Sequence, residues 1–364
     1  MWIDNLNVNH CRLLDDVSIV LSKDLNIILG ENASGKTSLL ESLALLSSGK
    51  SFRTSHIINV ISHNNSAVLV SARLNHKNKK SQIGIEKSAA KTRIRMNKQD
   101  VYSQAELSRH LPITIMHPES IELISGSPSR RRSYIDWITF YLYPEFHGLW
   151  KSYRHILKQR NLCLKDPKHK YALPKWTEEL IQLQPSITEL RIKAIEKLKT
   201  ELAKVSRKLL GDNDTCDSVE LEFNSGLPID VKLDKESLQQ FYSQKEEYDL
   251  KLKRTSSGVH RADMKIILNG KPAAQAASRG QLKLLAITLL LAQSTTIDKD
   301  KEEKGIIVID DLAAELDKKN KNKLLDYLGT LKQQLIITTT KKLEISDIPF
   351  KLFHVKHGVF TEIQ

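Results

Sequence analysis

The sequence predicts an α/β fold in which both ends of the chain share one mixed β-sheet and a mostly helical lobe is inserted between them. Two short apolar runs, at 25–29 and 306–309, have the composition of buried central strands. Between them, apolar residues recur every three or four positions from 187 to 209, which indicates an amphipathic helix. We therefore expect half of an α/β head at 1–125, a helical lobe at 126–250 and the other half of the head at 251–364.

Each element follows from its local pattern. Alternation predicts strands, Leu- and Ala-rich or 3.6-periodic stretches predict helices, and Lys and Asn punctuate an antiparallel meander. The predicted strands lie at 3–8, 17–21, 25–29, 67–74, 82–87, 92–96, 111–116, 219–223, 264–268, 306–309, 335–338, 351–355 and 359–363. The predicted helices lie at 38–46, 129–165, 175–210 with an interruption at Pro185, 235–248, 279–293 and 318–331, with a charged loop at 298–304.

Composition limits the class of protein. The 364 residues are 40% hydrophobic and 27% charged, as in a folded chain. The net charge of +13 indicates a polyanionic partner such as nucleic acid, although a lysine-rich proteome would also explain it. No apolar run approaches the roughly 20 residues of a membrane span, and no signal-peptide pattern opens the chain. Three distant cysteines predict a reducing compartment, so we expect a cytoplasmic protein with no membrane partner.

A phosphate-binding loop follows the first buried run. The residues Gly30, Glu31, Asn32, Ala33, Ser34, Gly35, Lys36 and Thr37 match GxxxxGK[ST] between a strand and a helix that opens at Ser38. Backbone N–H groups of such a loop wrap phosphates, and the helix dipole adds to the attraction. We expect all residues from Gly30 to Ser38 to bind ATP, with Lys36 reaching its β- and γ-phosphates and the Thr37 hydroxyl binding Mg²⁺.

Two carboxylates close the second buried run. The strand delivers Asp310 to its carboxyl end, where it can hold Mg²⁺ through water, and Asp311 is placed to polarise an attacking water. Lys36 and Asp310 lie 274 residues apart in the sequence. A large insertion between these two motifs is the layout of ABC-type ATPases, especially those of chromosome maintenance and repair.

A third motif fits the same class. Ser278, Arg279, Gly280 and Gln281 precede an apolar helix, with Ser278 as a predicted N-cap. In ABC-type ATPases this signature faces the γ-phosphate held by the opposite protomer. The pattern therefore predicts an ATP-dependent homodimer, in which residues 314–317 resemble the dimer-contact loop.

Several segments together resemble the RecF family of bacterial DNA replication and repair proteins. They are GENASGKTSLLE from Gly30, GKSFR from Gly49, SGSPSRRRSYIDW ending at Trp137, SGVHRADM from Ser257, SRGQLKLL from Ser278 and IDDLAAELD ending at Asp317. The resemblance implies an ABC-type, SMC-like ATPase head that dimerises with ATP on gapped single- and double-stranded DNA. It also implies action with RecO and RecR in recombinational repair, replication and the SOS response to DNA damage.

The resemblance assigns phosphate-loop roles to Lys36 and Thr37, the metal role to Asp310, the catalytic carboxylate to Asp311 and the trans-acting signature to Ser278. Asp311 is one methylene shorter than the Glu usual in transporters. We therefore expect slow hydrolysis, a weak DNA-dependent ATPase in which ATP acts as an assembly switch.

The chain departs from family patterns in four places. Val259 stands where the family usually has Pro, and the aromatic of the Asn-Phe-Arg pattern is absent before Arg12. His117-Pro118-Glu119 occupies the place of the transporter Gln, and 338–340 that of the switch histidine. A γ-phosphate sensor would then be a hydroxyl of 338–340 or lie elsewhere.

Basic residues of the helical lobe are candidates for sequence-independent DNA contact. They are Arg130, Arg131, Arg132, Lys151, Arg154, Lys158 and Arg160, with Arg53, His260 and Arg261 as further site candidates. The alternative for any one of them is a solvated helix surface. Trp137, Trp150 and Trp176 are expected in the core.

Other ABC-type systems remain alternatives at this stage. A transporter subunit would need a Gln loop and a switch histidine, which are absent in their usual form. A nuclease would need a further carboxylate cluster beyond Asp317, and a chromosome-maintenance tether would need a long coiled coil.

Overall fold

The structure is a computed structural model that describes residues 1–76, 79–211, 219–301, 303–312, 316–343 and 349–363. Residues 314 and 315 of the predicted dimer-contact loop lie outside the described residues, and so does Cys216. The chain divides into two compact units. The first unit comprises Met1–Ser120, Val205–Gly211 and Ser278–Gln364, and the second comprises Ile121–Lys204 and Asp212–Ala277.

The elements agree closely with the predicted pattern. The strands are β1 (Trp2–Cys11), β2 (Leu14–Val20), β3 (Leu25–Gly30), β4 (Ala67–His76), β5 (Lys79–Ser88), β6 (Thr92–Met96), β7 (Gln99–Val101), β8 (Ile113–Met116), β9 (Val219–Asn224), β10 (Asp263–Leu268), β11 (Lys271–Pro272), β12 (Ile306–Ile309), β13 (Gln334–Thr339), β14 (Phe350–Lys356) and β15 (Val359–Ile363). The helices are α1 (Lys36–Ser48), α2 (Gln104–His110), α3 (Glu122–Ser125), α4 (Pro128–Leu142), α5 (Phe146–Lys165), α6 (Leu173–Leu209), α7 (Lys235–Leu252), α8 (Ala273–Ala276), α9 (Arg279–Lys301) and α10 (Lys318–Leu331).

The central sheet of the first unit has the order β15-β14-β3-β13-β12-β8. β14, β3, β13, β12 and β8 run parallel, and β15 is antiparallel to β14. Every residue of β12 and β13 is buried, so both faces of these strands are covered, which explains the apolar runs at 306–309 and 335–337. All the parallel strands therefore end at one edge of the sheet.

A second, antiparallel sheet of this unit has the order β2-β1-β4-β5-β6-β7. In β4, the side chains of Val68, Val70, Ala72 and Leu74 point inward and their neighbours outward, as the two-residue period of a strand requires. α1 contributes Leu39 and Leu43, both fully buried, to a core shared with both sheets. Each such side chain stabilises the fold by about 1.5–3 kcal/mol relative to an exposed one.

The second unit packs its long helices around aromatic residues and adds a small sheet of order β11-β10-β9. Tyr153 and Tyr242 are among its largest buried side chains. This unit extends to Ala277, whereas the predicted lobe ends at 250. The antiparallel pairing of β9 with β10 accounts for the difference, because it ties 263–268 to the second unit.

Three details of the helices differ from prediction. The single helix predicted at 129–165 is two helices, α4 and α5, with residues 143–145 between them. α6 continues through Pro185, where an interruption was expected. Proline removes one backbone hydrogen bond, but buried Ile181 and Ile187 hold the helix on both sides of it. α9 runs to Lys301 and includes most of the predicted charged loop; beyond it, Gly305 N–H donates to Asp298 Oδ1 at 2.8 Å.

Among the described residues, no helix combines the length and apolar character needed to cross a bilayer.

Candidate nucleotide site

The three central strands β3, β13 and β12 carry the site at their carboxyl ends. β13 lies between the other two, paired with β3 on one side and β12 on the other. The edge therefore brings together the loop after Gly30, the carboxylates after Ile309 and the hydroxyls at the end of β13. In open α/β sheets, ligands bind at this edge.

The loop after β3 has the backbone that a phosphate needs. Ala33 and Gly35 both have left-handed conformations, with φ of 61° and 113°. Alternating right- and left-handed residues point successive N–H groups into one concavity, which attracts anions. The Gly358 N–H donates to the Ser34 carbonyl at 2.8 Å and fixes the loop to the β14–β15 turn.

Two positions of the loop are closely constrained. A Cβ on Gly30 would lie 2.6 Å from the Val355 carbonyl oxygen, so only glycine fits there. The Ser34 hydroxyl is buried and has no hydrogen-bond partner among the described residues. An unpaired buried hydroxyl costs free energy unless a ligand pairs with it. Both observations fit a bound phosphate.

Lys36, at the start of α1, is 6% exposed. Its Nζ donates to the carbonyl oxygens of Gly30 at 2.8 Å and Glu31 at 2.7 Å. Burial lowers the pKa of this amine, and the nearby carboxylates of Asp311 and Asp310 partly oppose that shift. The cation therefore lies inside the loop that it is predicted to serve.

The predicted metal ligands meet directly. The Thr37 hydroxyl lies 3.2 Å from Asp310 Oδ1 and 3.1 Å from Asp310 Oδ2, so it donates to that carboxylate. Hydroxyl and carboxylate oxygens are the ligands that Mg²⁺ prefers. The residues present thus fit the ion that an ATP site of this kind uses.

Thr338 positions both carboxylates, a role that the sequence did not predict. This fully buried residue donates from Oγ1 to Asp310 Oδ1 at 2.8 Å and accepts from the Asp311 N–H at 2.8 Å. Asp311 has a left-handed backbone with φ of 51°, and its buried Oδ1 has no partner among the described residues. The backbone of Asp311 is thus held in place, while this carboxylate oxygen stays without a hydrogen-bond partner among those residues.

The other hydroxyls considered as sensors are placed differently. The Thr339 hydroxyl is buried and donates to the Lys341 carbonyl at 2.8 Å, and Thr340 is half-buried. His117 follows β8, which pairs with β12 so that Met116 lies opposite Ile309. The Asp310 N–H donates to the Met116 carbonyl at 2.8 Å, which places Asp310 near His117. The His117 ring lies 4.8 Å from that of Phe52.

The predicted signature forms a capping box at the start of α9. The Ser278 N–H donates to Gln281 Oε1 at 2.8 Å, and the Gln281 N–H lies 3.4 Å from Ser278 Oγ. This reciprocal pair satisfies donors that a helix start leaves unpaired. Ser278 and Gly280 are exposed, and a Cβ on Gly280 would meet no atom within 4 Å. The chain's own packing therefore does not require glycine there.

A buried ion pair between α1 and the residue that follows β1 was not predicted from the sequence. Glu41 is fully buried in α1 and accepts from Arg12 Nε at 2.9 Å and Nη2 at 3.0 Å. Arg53, half-exposed, lies 3.9 Å from the same carboxylate, and Ser51 donates to it. The hydrogen bond to Glu41 raises the pKa of Arg12. The available sequence signal was one Glu in an otherwise apolar helix.

The basic candidates of the second unit separate into two groups. Arg131 pairs with Asp263 at 2.7 Å and Arg132 donates to the Ala262 carbonyl at 2.7 Å, so both guanidinium groups have partners within the chain. Arg130 is 60% exposed and pairs with Glu122. The remaining exposed candidates, on one face of α5, are Lys151, Arg154 and Lys158.

The prediction that Arg160 contacts DNA is wrong. It is fully buried, with Nη1 2.8 Å from Asp249 Oδ2 and Nε 2.9 Å from the Thr177 hydroxyl. The position lies on the inner face of α5, because it falls seven residues after buried Tyr153. Arg160 cannot reach a phosphate from there.

His260 has a structural environment. Its ring nitrogens contact the Tyr153 hydroxyl at 2.8 Å and the Thr255 carbonyl at 3.1 Å. Burial lowers its pKa to about 4. The neighbouring Arg261 is exposed, while Val259 is fully buried and its carbonyl accepts from Arg191.

The tryptophans lie among apolar and aromatic neighbours. Trp150 and Trp176 pack against the core of the second unit, and Trp137 stacks on Phe140 and meets Tyr141 edge-to-face.

Comparison with known proteins gives consistent results. The family profile described as RecF/RecN/SMC N terminal domain matches residues 2–361. The DNA replication and repair protein RecF of Shewanella sediminis (strain HAW-EB3) is 32% identical over 369 residues, which cover 100% of both chains. The RecF of Nitrosococcus oceani is 33% identical over 368 residues, covering 100% of this chain and 99% of that one.

Solved structures agree in fold. The structure described as the recombination mediator protein RecF-ATP in the RecFOR pathway matches with a TM-score of 0.88 and 27% identity, over 100% of this chain and 98% of that chain. An Smc head bound to the C-winged helix domain of ScpA matches with a TM-score of 0.57 at 16% identity, over 100% and 97%, which shows similarity of fold alone. These matches confirm the predicted ABC-type head. The chain belongs to the RecF/RecN/SMC N-terminal-domain family and, within it, to the RecF proteins of DNA replication and repair.

Proposed function

We propose that this protein is an ATP-dependent DNA-binding protein of recombinational repair and replication, with a slow, DNA-dependent ATPase activity. The observation that carries the proposal is the carboxyl edge of the central sheet. There, the phosphate loop with its left-handed residues, buried Lys36, the Thr37–Asp310 pair and Asp311 meet beyond the ends of the central strands. This arrangement suits a nucleoside triphosphate better than any other ligand class.

The residues divide the work at this site. The Gly30–Gly35 loop and Lys36 bind and orient the phosphates, while Thr37 and Asp310 would hold Mg²⁺, which neutralises phosphate charge when bound. Asp311 would orient the attacking water. Its carboxylate is one methylene shorter than glutamate, so we expect hydrolysis to be slow and ATP to act mainly as a switch.

The second half of the site would come from a second copy of the chain. Ser278 and Gly280 are exposed and unobstructed at the start of a long helix, whose N-terminal dipole favours an anion. A ligand that binds the closed dimer more tightly than the separate chains shifts the equilibrium toward the dimer. ATP would therefore assemble the dimer and its hydrolysis would release it.

DNA and protein partners complete the proposal. The net charge of +13 and the exposed face of Lys151, Arg154 and Lys158 support contact with DNA phosphates. A solved RecF structure of the RecFOR pathway matches the full chain, which supports RecO and RecR as partners at gapped DNA. We place this activity in the cytoplasm.

A nucleotide-binding and hydrolysis assay tests the proposal. Lys36→Ala should abolish ATP binding. Ser278→Arg should bind ATP like the natural chain but neither dimerise nor hydrolyse it, and Ser243→Arg, at an exposed serine of α7, is the matched control. Normal hydrolysis by Ser278→Arg would exclude the composite site, and normal ATP binding by Lys36→Ala would exclude the nucleotide site itself.

A further inference from the structure

The outward face of the antiparallel sheet in the first unit carries a groove that the nucleotide site does not use. Two adjoining cavities, of about 500 Å³ and 210 Å³, lie across β1, β4, β5 and β6. Gln82 and Lys98 line both of them. Neighbouring strands are about 4.8 Å apart, so the four strands span roughly 14 Å.

The larger cavity is lined by neutral amides and cations. The amides are those of Asn5, Asn7, Gln82 and Asn97, beside the Ser81 hydroxyl. The cations are Arg73, Lys80 and Lys98. No carboxylate belongs to this lining, so its charge favours an anionic partner.

The cations of the larger cavity are only weakly compensated. Within the part of the chain that the structure describes, neither Lys80 nor Lys98 has a carboxylate within ion-pairing distance. Arg73 is 51% exposed, and its Nε is 3.6 Å from Asp4. Exposed ion pairs of this kind contribute little to stability. The positive charge is thus available to a partner.

Lys98 is held in place by the backbone. Asn97 and Lys98 are the left-handed residues of the turn between β6 and β7, with φ of 49° and 69°. Asn97 accepts the Gln82 N–H on Oδ1 at 2.9 Å and donates its own N–H to the Gln82 carbonyl at 2.8 Å. The turn therefore fixes the backbone position from which the Lys98 side chain extends.

The smaller cavity is open because small residues, Gly84 and Ser71, line its base. Gly84 lies in the middle of β5, opposite Ser71 of β4. A Cβ on Gly84 would meet Ser71 Cβ at 3.4 Å, so the sheet's own packing does not demand glycine. Glycine within a strand often marks the close approach of another molecule. Arg93 and Arg95 line this cavity with Glu86, and both arginines share Asp100.

We propose that this groove binds the phosphodiester backbone of duplex DNA, as a contact surface in addition to the exposed face of α5. The inference rests on the proposed DNA-binding function. Arg, Lys, Asn, Gln and Ser side chains are the usual partners of DNA phosphates. No aromatic side chain lines either cavity, so the stacking platform typical of single-strand binding is absent from this lining. An acidic protein surface is the competing partner.

Salt titration of duplex binding tests the groove. The double variant Lys80→Gln/Lys98→Gln and the charge-matched control Lys251→Gln/Lys332→Gln are compared with the natural chain on a blunt duplex in the presence of ATP. Loss of two phosphate contacts should reduce the slope of log K against log salt by about 1.8 in the groove variant. The control should keep the natural slope, and all three proteins should bind ATP equally.

A second variant removes space instead of charge. Gly84→Leu should weaken duplex binding while the two lysines remain, because the side chain fills the floor of the groove. If both groove variants bind duplex DNA like the control, the groove inference is wrong, and an acidic protein becomes the better partner for this face. If the natural chain binds no duplex at all, the proposed DNA-binding function fails together with the inference.

Discussion

Buried charges are treated in opposite ways at the core of the second unit and at the carboxyl edge of the first. Arg160 and Asp249, each 1% exposed, face each other at 2.8 Å, with threonine hydroxyls on the guanidinium and Ser256 on the carboxylate. At the sheet edge, Asp310 and Asp311 lie side by side, and Asp311 Oδ1 and Ser34 Oγ are buried without partners among the described residues. The first arrangement serves stability, whereas the second leaves capacity for a ligand.

Whether a buried charged group has a side-chain partner distinguishes structural from ligand-binding positions more reliably than residue type does. Arg160 and Lys36 are both buried cations in basic or phosphate-loop segments. Arg160 is matched by a carboxylate, so its removal leaves an uncompensated buried charge. Among the described residues, Lys36 Nζ donates to the backbone carbonyls of Gly30 and Glu31, in a loop with left-handed residues. Strain of this kind persists where function requires it.

The largest expected effect is on the stability of the second unit. Arg160→Met should lower the free energy of unfolding by about 3–5 kcal/mol, because Asp249 is then buried without its partner. Chemical denaturation measures this, with exposed Arg254→Met as the control. A loss no greater than that of the control would contradict the structural role of Arg160.

The next effect is a pH dependence in the same unit. Burial lowers the pKa of His260 to about 4 from 6.5, so the unfolded chain binds a proton at higher pH than the folded chain does. Stability should therefore fall as the pH drops from 6.5 toward 4, by about 2 kcal/mol at pH 5 from this residue.

Comparison of His260→Gln with the exposed control His169→Gln isolates this contribution. Denaturation of the three proteins between pH 7 and pH 5 should show a flatter profile for His260→Gln alone. Parallel profiles for all three would mean that folding does not lower the pKa of His260.

Substitution of Thr338 should have the smallest effect on stability, but it should clearly reduce ATP hydrolysis. Thr338→Val removes the bond to Asp310 and the acceptor for the Asp311 N–H, so hydrolysis should fall about tenfold, equivalent to roughly 1.4 kcal/mol. ATP binding should persist, because Lys36 and the loop are unchanged. Thr338→Ser, which keeps the hydroxyl, should retain most of the activity; equal losses in both variants would argue against hydrogen bonding as the cause.

Local patterns predicted the parts of the site that one segment builds. The phosphate loop needs only a strand, eight consecutive residues and a helix, and the capping box at Ser278 spans four residues. The central sheet edge also followed, because apolar strands followed by Gly30 and by Asp310 must end in polar loops. These features depend on neighbours in sequence.

The remaining features depend on contacts between distant residues. Thr338 reaches Asp310 because β13 is inserted between β3 and β12, an order that no single segment encodes. Arg12 meets Glu41 across the first unit's core, and Arg160 meets Asp249 from a different helix. The charge pattern of α5 alone made Arg160 look like its exposed neighbours, because the burial of one helix face is decided by what packs against it.

Sedimentation of the full chain with gapped DNA, in the presence of Mg²⁺ and either ATP or ADP, tests the central claim most directly. The claim is that the edge of one chain and the Ser278 helix of another enclose one triphosphate. ATP should give a protein dimer, ADP a monomer, and Ser278→Arg a monomer with either nucleotide. A natural chain that stays monomeric with saturating ATP, or an ATP dimer unaffected by Ser278→Arg, would contradict it.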